Sequence, residues 1–297
     1  MENAPIENIT KKDIRSLSLD AIIAEMEQFG EKSFRAKQVW EWLWKKSAHN
    51  FDEMTNLSLK TREHLKERFS INALTLDNQQ VSNDRTIKSA YRLHDGHLIE
   101  GVLIPTPKRM TACVSSQVGC SLTCKFCATG YMDRKRNLDA SEIYDQVVDI
   151  ARQSVDNYGT PLSNIVYMGM GEPLLNYANV LKSVEYITSE KGLGMSPRRI
   201  TVSTAGIAKM IKKLGDDEVK FRLAVSLHAA NDIKRNTIMP INESNSLEAL
   251  KEALQYYYQK THNRITFEYI LFYGFNDTLE DAEDLFKFTR HVPSKVN

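Results

Sequence analysis

This sequence has few cysteines, almost no excess of charge of either sign and no long apolar run. Only four of the 297 residues are cysteine, and 39 basic side chains almost balance 38 acidic ones, so the formal net charge is +1. No apolar run approaches the length that a membrane-spanning helix requires. The polar stretch from Met1 to Lys12 lacks the apolar core of a signal peptide. The sequence therefore predicts a cytoplasmic protein that does not enter a membrane and has no overall charge suited to nucleic acid.

The four cysteines lie close together, between Cys113 and Cys127. A disulfide framework would spread its cysteines along the chain, so a tight group in a cytoplasmic protein indicates a metal, a cluster or redox chemistry. Cys120, Cys124 and Cys127 form a Cys-x-x-x-Cys-x-x-Cys motif that resembles the motif of radical S-adenosylmethionine (SAM) enzymes. A [4Fe–4S] cluster usually takes four thiolates, so three would leave one iron open to the amino and carboxylate groups of SAM.

A structural zinc site is the alternative for these cysteines. Zinc would need a fourth cysteine or histidine, which Cys113 or His94 could supply. The iron–sulfur cluster is favoured by the spacing, by Phe126 before the last cysteine, and by the position of the motif between a predicted strand and βα repeats.

The first part of the chain, residues 1–85, is predicted to form a small helical domain. Its apolar spacing and its capping residues, such as Ser18 and Gly30, predict helices over 18–29, 33–44 and 57–69. Short strands are predicted next over 86–93, 97–104 and 110–115, with a hairpin turn at Asp95-Gly96.

Helical and strand patterns alternate after the cysteines. The predicted strands are 165–168, 200–203, 221–226 and 265–271, with another beginning at 294; the predicted helices are 141–155, 177–191, 208–214, 247–261 and 279–290. This alternation indicates βα units around a parallel sheet. The predicted fold class is α/β: residues 86–297 form a partial TIM-like radical SAM barrel, which the helical domain and short antiparallel strands precede. Its chemistry would lie at the carboxyl ends of the strands.

Polar residues follow successive predicted strands. Gly171 and Glu172 come after the first parallel strand, Ser203 ends the next, and Ser226-Leu227-His228 ends the one after that. Each has an ordinary explanation alone, since serines cap helices and a buried histidine can be purely structural. As an ordered set at the strand ends, they predict a shared pocket in which Glu172 accepts from the SAM amino group.

Two long motifs resemble those of the dual-specificity RNA (adenine-C2) methyltransferase family. Residues 114–130 are VSSQVGCSLTCKFCATG and residues 169–176 are GMGEPLLN, while residues 34–38, FRAKQ, resemble the family's helical RNA-binding region. The resemblance runs through nearly the whole chain. It implies methylation of C2 of an adenosine in 23S rRNA and of the adenosine next to the anticodon in certain tRNAs. A relative that methylates C8 of the same rRNA base typically lacks the counterpart of Pro173, which favours C2.

The resemblance also implies a role for each matching residue. The cluster ligands are Cys120, Cys124 and Cys127, and the SAM-contacting residues are Gly171, Glu172, Ser203, Ser226, Leu227 and His228. Cys113 matches the cysteine that resolves a covalent protein–RNA intermediate, and Glu100 matches the general base. Cys113 could instead be an inert buried thiol, and Glu100 could be a solvent-facing carboxylate. The reaction implied uses a methylated cysteine, a 5′-deoxyadenosyl radical and an external electron donor.

A local basic stripe is the sequence's main feature for RNA. Six basic residues and one acidic residue lie between Lys108 and Arg136. Such a stripe could hold phosphates, or it could simply be solvated. The target base must be unstacked for C2 to reach the pocket.

The sequence departs from the family at its C-terminal end. No cysteine follows Cys127, so the methyl-carrying cysteine of the family is not among the 297 residues. The sequence thus predicts a truncated chain that binds cluster and SAM without completing methyl transfer. The alternatives are the C8-specific enzyme, an inactive cluster- and RNA-binding fragment, and a zinc module. The oligomeric state stays open.

Overall fold

The computed structural model describes residues 11–297, which form thirteen β-strands and nine α-helices. The strands are β1 (Lys12–Asp13), β2 (Phe69–Ser70), β3 (Thr75–Val81), β4 (Ile87–Arg92), β5 (Leu98–Thr106), β6 (Arg109–Cys113), β7 (Gln117–Val118), β8 (Arg136–Asn137), β9 (Asn164–Tyr167), β10 (Ile200–Thr204), β11 (Arg222–Ser226), β12 (Ile265–Glu268) and β13 (Ser294–Val296). The helices are α1 (Leu19–Gln28), α2 (Ser33–Trp44), α3 (Leu59–Arg68), α4 (Ala140–Tyr158), α5 (Tyr177–Thr188), α6 (Ala208–Asp216), α7 (Asp232–Ile238), α8 (Leu247–Thr261) and α9 (Leu279–Thr289). Residues 1–10, part of the predicted first domain and of the polar N-terminal stretch, lie outside the described residues.

The three predicted N-terminal helices are confirmed, and their ends follow from local chemistry. The Ser18 hydroxyl accepts from the main-chain N–H of Ala21 at 3.2 Å, which satisfies a free donor at the start of α1. Just beyond the end of α1, Gly30 has a φ of +85°, a conformation that favours glycine. The Ser58 hydroxyl caps α3 in the same way, at 3.1 Å from the N–H of Thr61.

One nine-stranded sheet organises the rest of the chain, in the order β13-β12-β11-β10-β9-β6-β5-β4-β3. The parallel part of the sheet consists of β6, β9, β10, β11, β12 and β13. The antiparallel part consists of β3, β4, β5 and β6. Helices connect the parallel strands, as in other βα folds. The predicted α/β fold, with antiparallel strands leading into a parallel sheet, is confirmed.

The two faces of this sheet differ in burial. On one face, Tyr167 and Phe267 are fully buried and contact Ser183 of α5 and Phe288 of α9. The other face includes the half-buried Ser226 and Glu268, which pair across β11 and β12. Helices therefore cover one side of the sheet, and the other side is available for a site.

The N-terminal helices pack directly on the helices of the sheet. The rings of Trp44 on α2 and Tyr186 on α5 stack with centroids 3.6 Å apart. The buried guanidinium of Arg15 donates to both carboxylate oxygens of Asp145 on α4, at 2.7 and 2.8 Å. Burial of the pair and the aromatic stack fix the N-terminal helices against the sheet.

Besides the two-residue strands β1, β2, β7 and β8, which were not predicted, three longer elements differ from the sequence predictions. β3 was not predicted: it starts at Thr75, within the predicted helical domain, and belongs to the main sheet. The domain boundary after residue 85 stays a prediction. Helix α7 was not predicted. The predicted strand 265–271 ends at Glu268, because the N–H of Ile270 bonds to the His228 side chain instead of a neighbouring strand. Within residues 11–297, no helix is long and apolar enough to cross a membrane.

Candidate cluster and cofactor site

A cavity of about 340 Å³ lies where β9, β10, β11 and β12 end, next to the cysteine motif. This is the edge of a parallel sheet where βα folds carry their chemistry. Most of the predicted site residues line it: Cys120, Cys124, Cys127, Gly171, Glu172, Ser203, Ser226 and His228. The structure thus brings together, across more than a hundred residues of sequence, the motifs that were singled out separately.

The cysteines are presented by a tightly folded loop. The N–H of Cys127 donates to the carbonyl of Cys124 at 3.2 Å, and the N–H of Gly130 donates to that of Cys127 at 2.9 Å. A Cβ atom at Gly130 would lie 2.5 Å from the carbonyl oxygen of Cys124, so only glycine allows this approach. The loop is also bonded to another element: the N–H of Lys125 donates to the carbonyl of Ile238, the last residue of α7.

Among the three motif cysteines, the surroundings of Cys120 and Cys124 favour the neutral thiols over the thiolates unless a cationic group is bound. All three are half-buried. Burial, followed by the neighbouring Cys120 and Cys127, raises the pKa of Cys124 to about 12. Burial also raises the pKa of Cys120. Thiolates in this setting need positive charge nearby, which the irons of a cluster would provide.

The alternative zinc site would need a fourth ligand beside the three cysteines. Among residues 11–297, no three His, Cys, Asp or Glu side chains converge closely enough to hold one metal ion. Neither fourth ligand considered from the sequence lines the cavity. His94 lies 3.5 Å from Glu142 instead, and Cys113 lies on β6, where it pairs with Val102 and Val166.

Glu172 is the only acidic side chain of the predicted set in the cavity, and it is almost fully buried. Its two carboxylate oxygens accept from the N–H groups of Leu174, at 3.0 Å, and Ala205, at 2.8 Å. Burial raises its pKa, while these hydrogen bonds lower it. Each oxygen keeps a further lone pair, so the carboxylate can still accept from an ammonium group in the cavity.

His228 is held as a neutral ring. Its Nδ1 accepts from the N–H of Ile270 at 3.1 Å, and its ring meets that of Phe126 edge to face at 4.7 Å. Burial, followed by the charge of Arg235, lowers its pKa to about 4. The side chain of Leu227 is fully buried and does not line the cavity, so only its main chain is left to face a ligand.

Cys113 and Glu100 lie outside the cavity but on the available face of the sheet. Cys113 pairs with Val102 on β5 and with Val166 on β9, and Glu100 lies two residues before Val102, so both side chains share that face. Glu100 is exposed and its carboxylate lies 3.1 Å from the Lys88 ammonium. Burial raises the pKa of Cys113 to about 11.

Arg235 is a residue of the site that the sequence did not reveal. It is fully buried on α7. Its guanidinium donates to the carbonyls of Leu227 at 3.1 Å, Ser226 at 3.1 Å and Ala205 at 2.6 Å, and to the side chain of Asn242 at 2.6 Å. Arg235 therefore ties the ends of β10 and β11 together behind the cavity.

Part of the predicted basic stripe is engaged within the protein. The guanidinium of Arg136 donates to Glu142 at 2.7 and 2.8 Å and pairs with Asp95. Lys135 lies 3.6 Å from Asp133. Among the residues that the structure describes, Lys125 and Arg134 form no ion pair with a carboxylate.

Two family models match the chain. The model for the "Ribosomal RNA large subunit methyltransferase N-terminal domain" matches residues 12–71, and the model for the "Radical SAM superfamily" matches residues 114–289. The second match spans the cysteine motif and most of the parallel sheet.

Curated relatives match almost the whole chain. A protein of Cytophaga hutchinsonii named "Probable dual-specificity RNA methyltransferase RlmN" is 62% identical over 289 residues, which are 97% of this chain and 79% of the relative. A protein of the same name from Thermotoga maritima is 42% identical over 287 residues, 96% of this chain and 82% of the relative.

A solved structure agrees with the sequence comparisons. The crystal structure of a radical SAM methyltransferase from Sphaerobacter thermophilus matches with a TM-score of 0.89 and 39% identity, and the match covers 96% of this chain and 84% of that chain. The chain therefore belongs to the RlmN family of dual-specificity RNA methyltransferases, within the radical SAM superfamily.

Proposed function

We propose that this protein methylates C2 of one adenosine in 23S rRNA and of the adenosine next to the anticodon in certain tRNAs. The observation that carries the proposal is that three half-buried thiols and the carboxylate of Glu172 line one cavity at the carboxyl ends of the parallel strands. The name of the relatives, dual-specificity RNA methyltransferase, supports RNA as the substrate. Pro173, directly after Glu172, favours C2 over C8.

The residues of the cavity would divide the work of binding the cofactors. Cys120, Cys124 and Cys127 would hold a [4Fe–4S] cluster, which when bound supplies the electron that cleaves SAM after an external donor has reduced it. Gly171, with a φ of +94°, keeps the main chain close to the cavity, and Glu172 would accept from the SAM amino group. The remaining SAM contacts would come from Ser203, Ser226, His228 and the main chain of Leu227.

Two residues of the available sheet face would act on the RNA base. C2 of adenine is electrophilic, so direct displacement by a methyl cation donor does not work there, and the C2 proton must leave after the new carbon–carbon bond forms. Glu100 would take that proton, for which its carboxylate has to leave the Lys88 ammonium. Cys113 would release the product through a disulfide: its sulfur would bond to the sulfur of the methyl-carrying cysteine, the carbon–sulfur bond to the product would break, and the thiol proton would complete the new methyl group. Burial raises the pKa of Cys113 to about 11, which keeps the thiol protonated until then.

The 297 residues contain no cysteine after Cys127, and the chain spans about four fifths of its relatives' length: 79% and 82% of two of them. The family's reaction needs a second cysteine to carry the methyl group. We propose that these 297 residues bind the cluster and SAM and cleave SAM reductively. Its cytoplasmic location also stays a prediction.

The polypeptide is tested first by anaerobic reconstitution with iron and sulfide. Expected results are about four irons and four sulfides per chain and release of 5′-deoxyadenosine with SAM and dithionite. Cys120→Ala should abolish both. One zinc per chain without sulfide would replace the cluster with the zinc alternative.

The position of methylation is tested in cells. Deletion of the encoding gene should remove C2-methyladenosine from digests of 23S rRNA and tRNA measured by mass spectrometry, and the intact gene should restore it whereas its Cys120→Ala variant should not. Loss of C8-methyladenosine instead would establish the C8 alternative. Unchanged modification in the deletion strain would refute the proposed function.

A further inference from the structure

Tyr131 is an exposed aromatic ring that the protein nevertheless holds in place. It ends the 3-10 helix Ala128–Tyr131 directly after Cys127, and 77% of its surface is exposed. Its hydroxyl donates to the carbonyl of Lys125 at 2.8 Å. That carbonyl belongs to the loop between two of the motif cysteines, so the ring is fixed relative to them while its faces stay open to solvent.

The position of Tyr131 places it at the rim of the cavity. The two residues before it, Thr129 and Gly130, line the cavity. Because Gly130 packs against the carbonyl of Cys124, the main chain that carries Tyr131 cannot move away from the cysteine loop without breaking that contact. A molecule that enters the cavity from this side therefore passes the ring.

The charge around the ring indicates the kind of molecule. Residues 131–135 are all exposed, and so is Lys125. Lys125 and Arg134 make no ion pair with a described carboxylate, whereas Lys135 lies 3.6 Å from Asp133. The guanidinium of Arg134 also donates to the Asn137 side chain at 3.3 Å. An exposed ring flanked by cations without a carboxylate partner matches unpaired nucleic acid, in which bases stack on aromatic side chains and phosphates contact lysine and arginine.

We propose that Tyr131 stacks on an unpaired RNA base beside the adenosine that enters the cavity, and that Lys125 and Arg134 hold the flanking phosphates. This inference rests on the proposed function for its choice of RNA as the partner. It adds a specific contact, since the ring would keep the neighbouring base out of the RNA stack and leave the target adenosine free to enter. Tyr131 is thus a positioning residue and not a catalytic one.

The test measures binding of a labelled RNA hairpin to the cluster-reconstituted protein, with 2-aminopurine in the loop beside an adenosine. Tyr131→Ala should weaken hairpin binding by about tenfold, the loss expected for one base–aromatic stack, and should relieve the quenching of 2-aminopurine. Tyr131→Phe and Tyr131→Trp keep a ring and should stay within about twofold of the unchanged protein. The matched control is Phe286→Ala, which removes another exposed ring, from α9 (64% exposed), and should change neither signal.

The cations are tested separately from the ring. Lys125→Ala with Arg134→Ala should lower the slope of log Kd against log salt by about 0.7 for each phosphate contact removed, without relieving the quenching. The proposal is overturned if Tyr131→Ala binds and quenches like the unchanged protein, or if Tyr131→Phe loses as much as Tyr131→Ala. Both measurements are made without methyl transfer, so they can succeed even if the deletion strain refutes the proposed function.

Discussion

At the scale of single residues, the site depends on a buried cation that touches no other charge directly. Arg235 donates to three main-chain carbonyls and one side-chain amide, and burial lowers its pKa to about 10. The Leu227 carbonyl also accepts from the N–H of Ala229 at 2.7 Å, whereas Arg235 is the side chain that joins it to the Ala205 carbonyl at the end of β10. Its role is to keep the two strand ends together where the cavity needs them.

Replacement of Arg235 should therefore lower the stability of the protein, although its side chain does not line the cavity. Arg235→Lys keeps the charge but cannot reach all four acceptors, and should lower the free energy of unfolding by about 2 kcal/mol. Arg235→Ala removes the guanidinium donor from the Ala205 and Ser226 carbonyls and from the Asn242 side chain together, and should cost more. Urea unfolding measures both, with the exposed Arg198→Lys as control. Equal losses in Arg235→Lys and Arg198→Lys would contradict this account.

His228 gives the site a dependence on pH whose sign follows from burial. Its pKa is about 4 in the folded protein, below its ordinary value of 6.5, so the unfolded chain binds the proton first. Stability is complete above about pH 6.5 and is lost as pH falls toward 4. Between pH 6.5 and 5 this one group should cost about 1.5 kcal/mol.

The contribution of His228 can be separated from that of the carboxylates, which also titrate in acid. Unfolding of the cluster-free protein is measured at pH 6.5 and pH 5, and the same is done for His228→Gln, which cannot take up a proton. The variant should lose less stability over this interval than the unchanged protein. If both lose the same amount, His228 is not held neutral by the fold.

The sequence revealed some of these residues and not others for a physical reason. Cys120, Cys124 and Cys127 are recognisable because their ligand geometry requires a fixed short spacing, and Glu172 because it directly follows a strand. Arg235 has no such signal, since its acceptors are main-chain oxygens that any residue at those positions would provide. The orientation of Glu100 toward Lys88 likewise depends on strand pairing, which a single sequence does not fix.

At the scale of elements, the cysteine loop depends on close packing of its own main chain. Gly130→Ala would place a Cβ atom 2.5 Å from the carbonyl of Cys124, against main chain that cannot rotate away. We expect this variant to displace the cysteines and to reduce iron incorporation severalfold, with little change in global unfolding. Iron and sulfide analysis after reconstitution measures the effect.

Gly194→Ala is the control for this loop. Gly194 has a φ of +65°, so alanine is strained there by about 1 kcal/mol, but nothing lies within 4 Å of the added Cβ atom. It should reduce stability slightly and leave iron incorporation unchanged. Normal iron content in Gly130→Ala would show that the loop tolerates a wider path.

Elements whose apolar residues recur at helical or strand spacing were predicted from the sequence, and elements without such spacing were missed. All seven residues of β3 are exposed, so the strand lacks the alternation of buried and exposed side chains that identifies a strand. Helix α7 has only seven residues and one buried side chain, that of Arg235. Both are held by pairing or hydrogen bonds to distant parts of the chain, and local propensity carries little information about such contacts.

At the scale of the whole molecule, the N-terminal helices are coupled to the sheet through a buried ion pair. Arg15 lies between Asp13 and Asp145, and its pKa is raised by the two carboxylates against the opposing effect of burial. Asp145 also accepts from the N–H of Leu74, in the segment that joins the helices to β3. The coupling thus joins the two regions that the family models match separately, residues 12–71 and 114–289.

Breaking this pair should loosen the N-terminal helices without affecting the cluster site. Asp145→Ala leaves Arg15 buried with Asp13 alone, and should lower the free energy of unfolding by about 3 kcal/mol. Limited proteolysis should then cut between α3 and β3 faster than in the unchanged protein, while reconstituted iron stays the same. Glu185→Ala, which removes the exposed partner of Lys182, is the control and should change neither property.

Replacing both buried partners, as Arg15→Met with Asp145→Leu, should cost less than the sum of the single changes, because neither charge is then left alone. Additive losses would mean that the two side chains act independently, and that other contacts, such as the aromatic stack of Trp44 on Tyr186, hold the helices against the sheet.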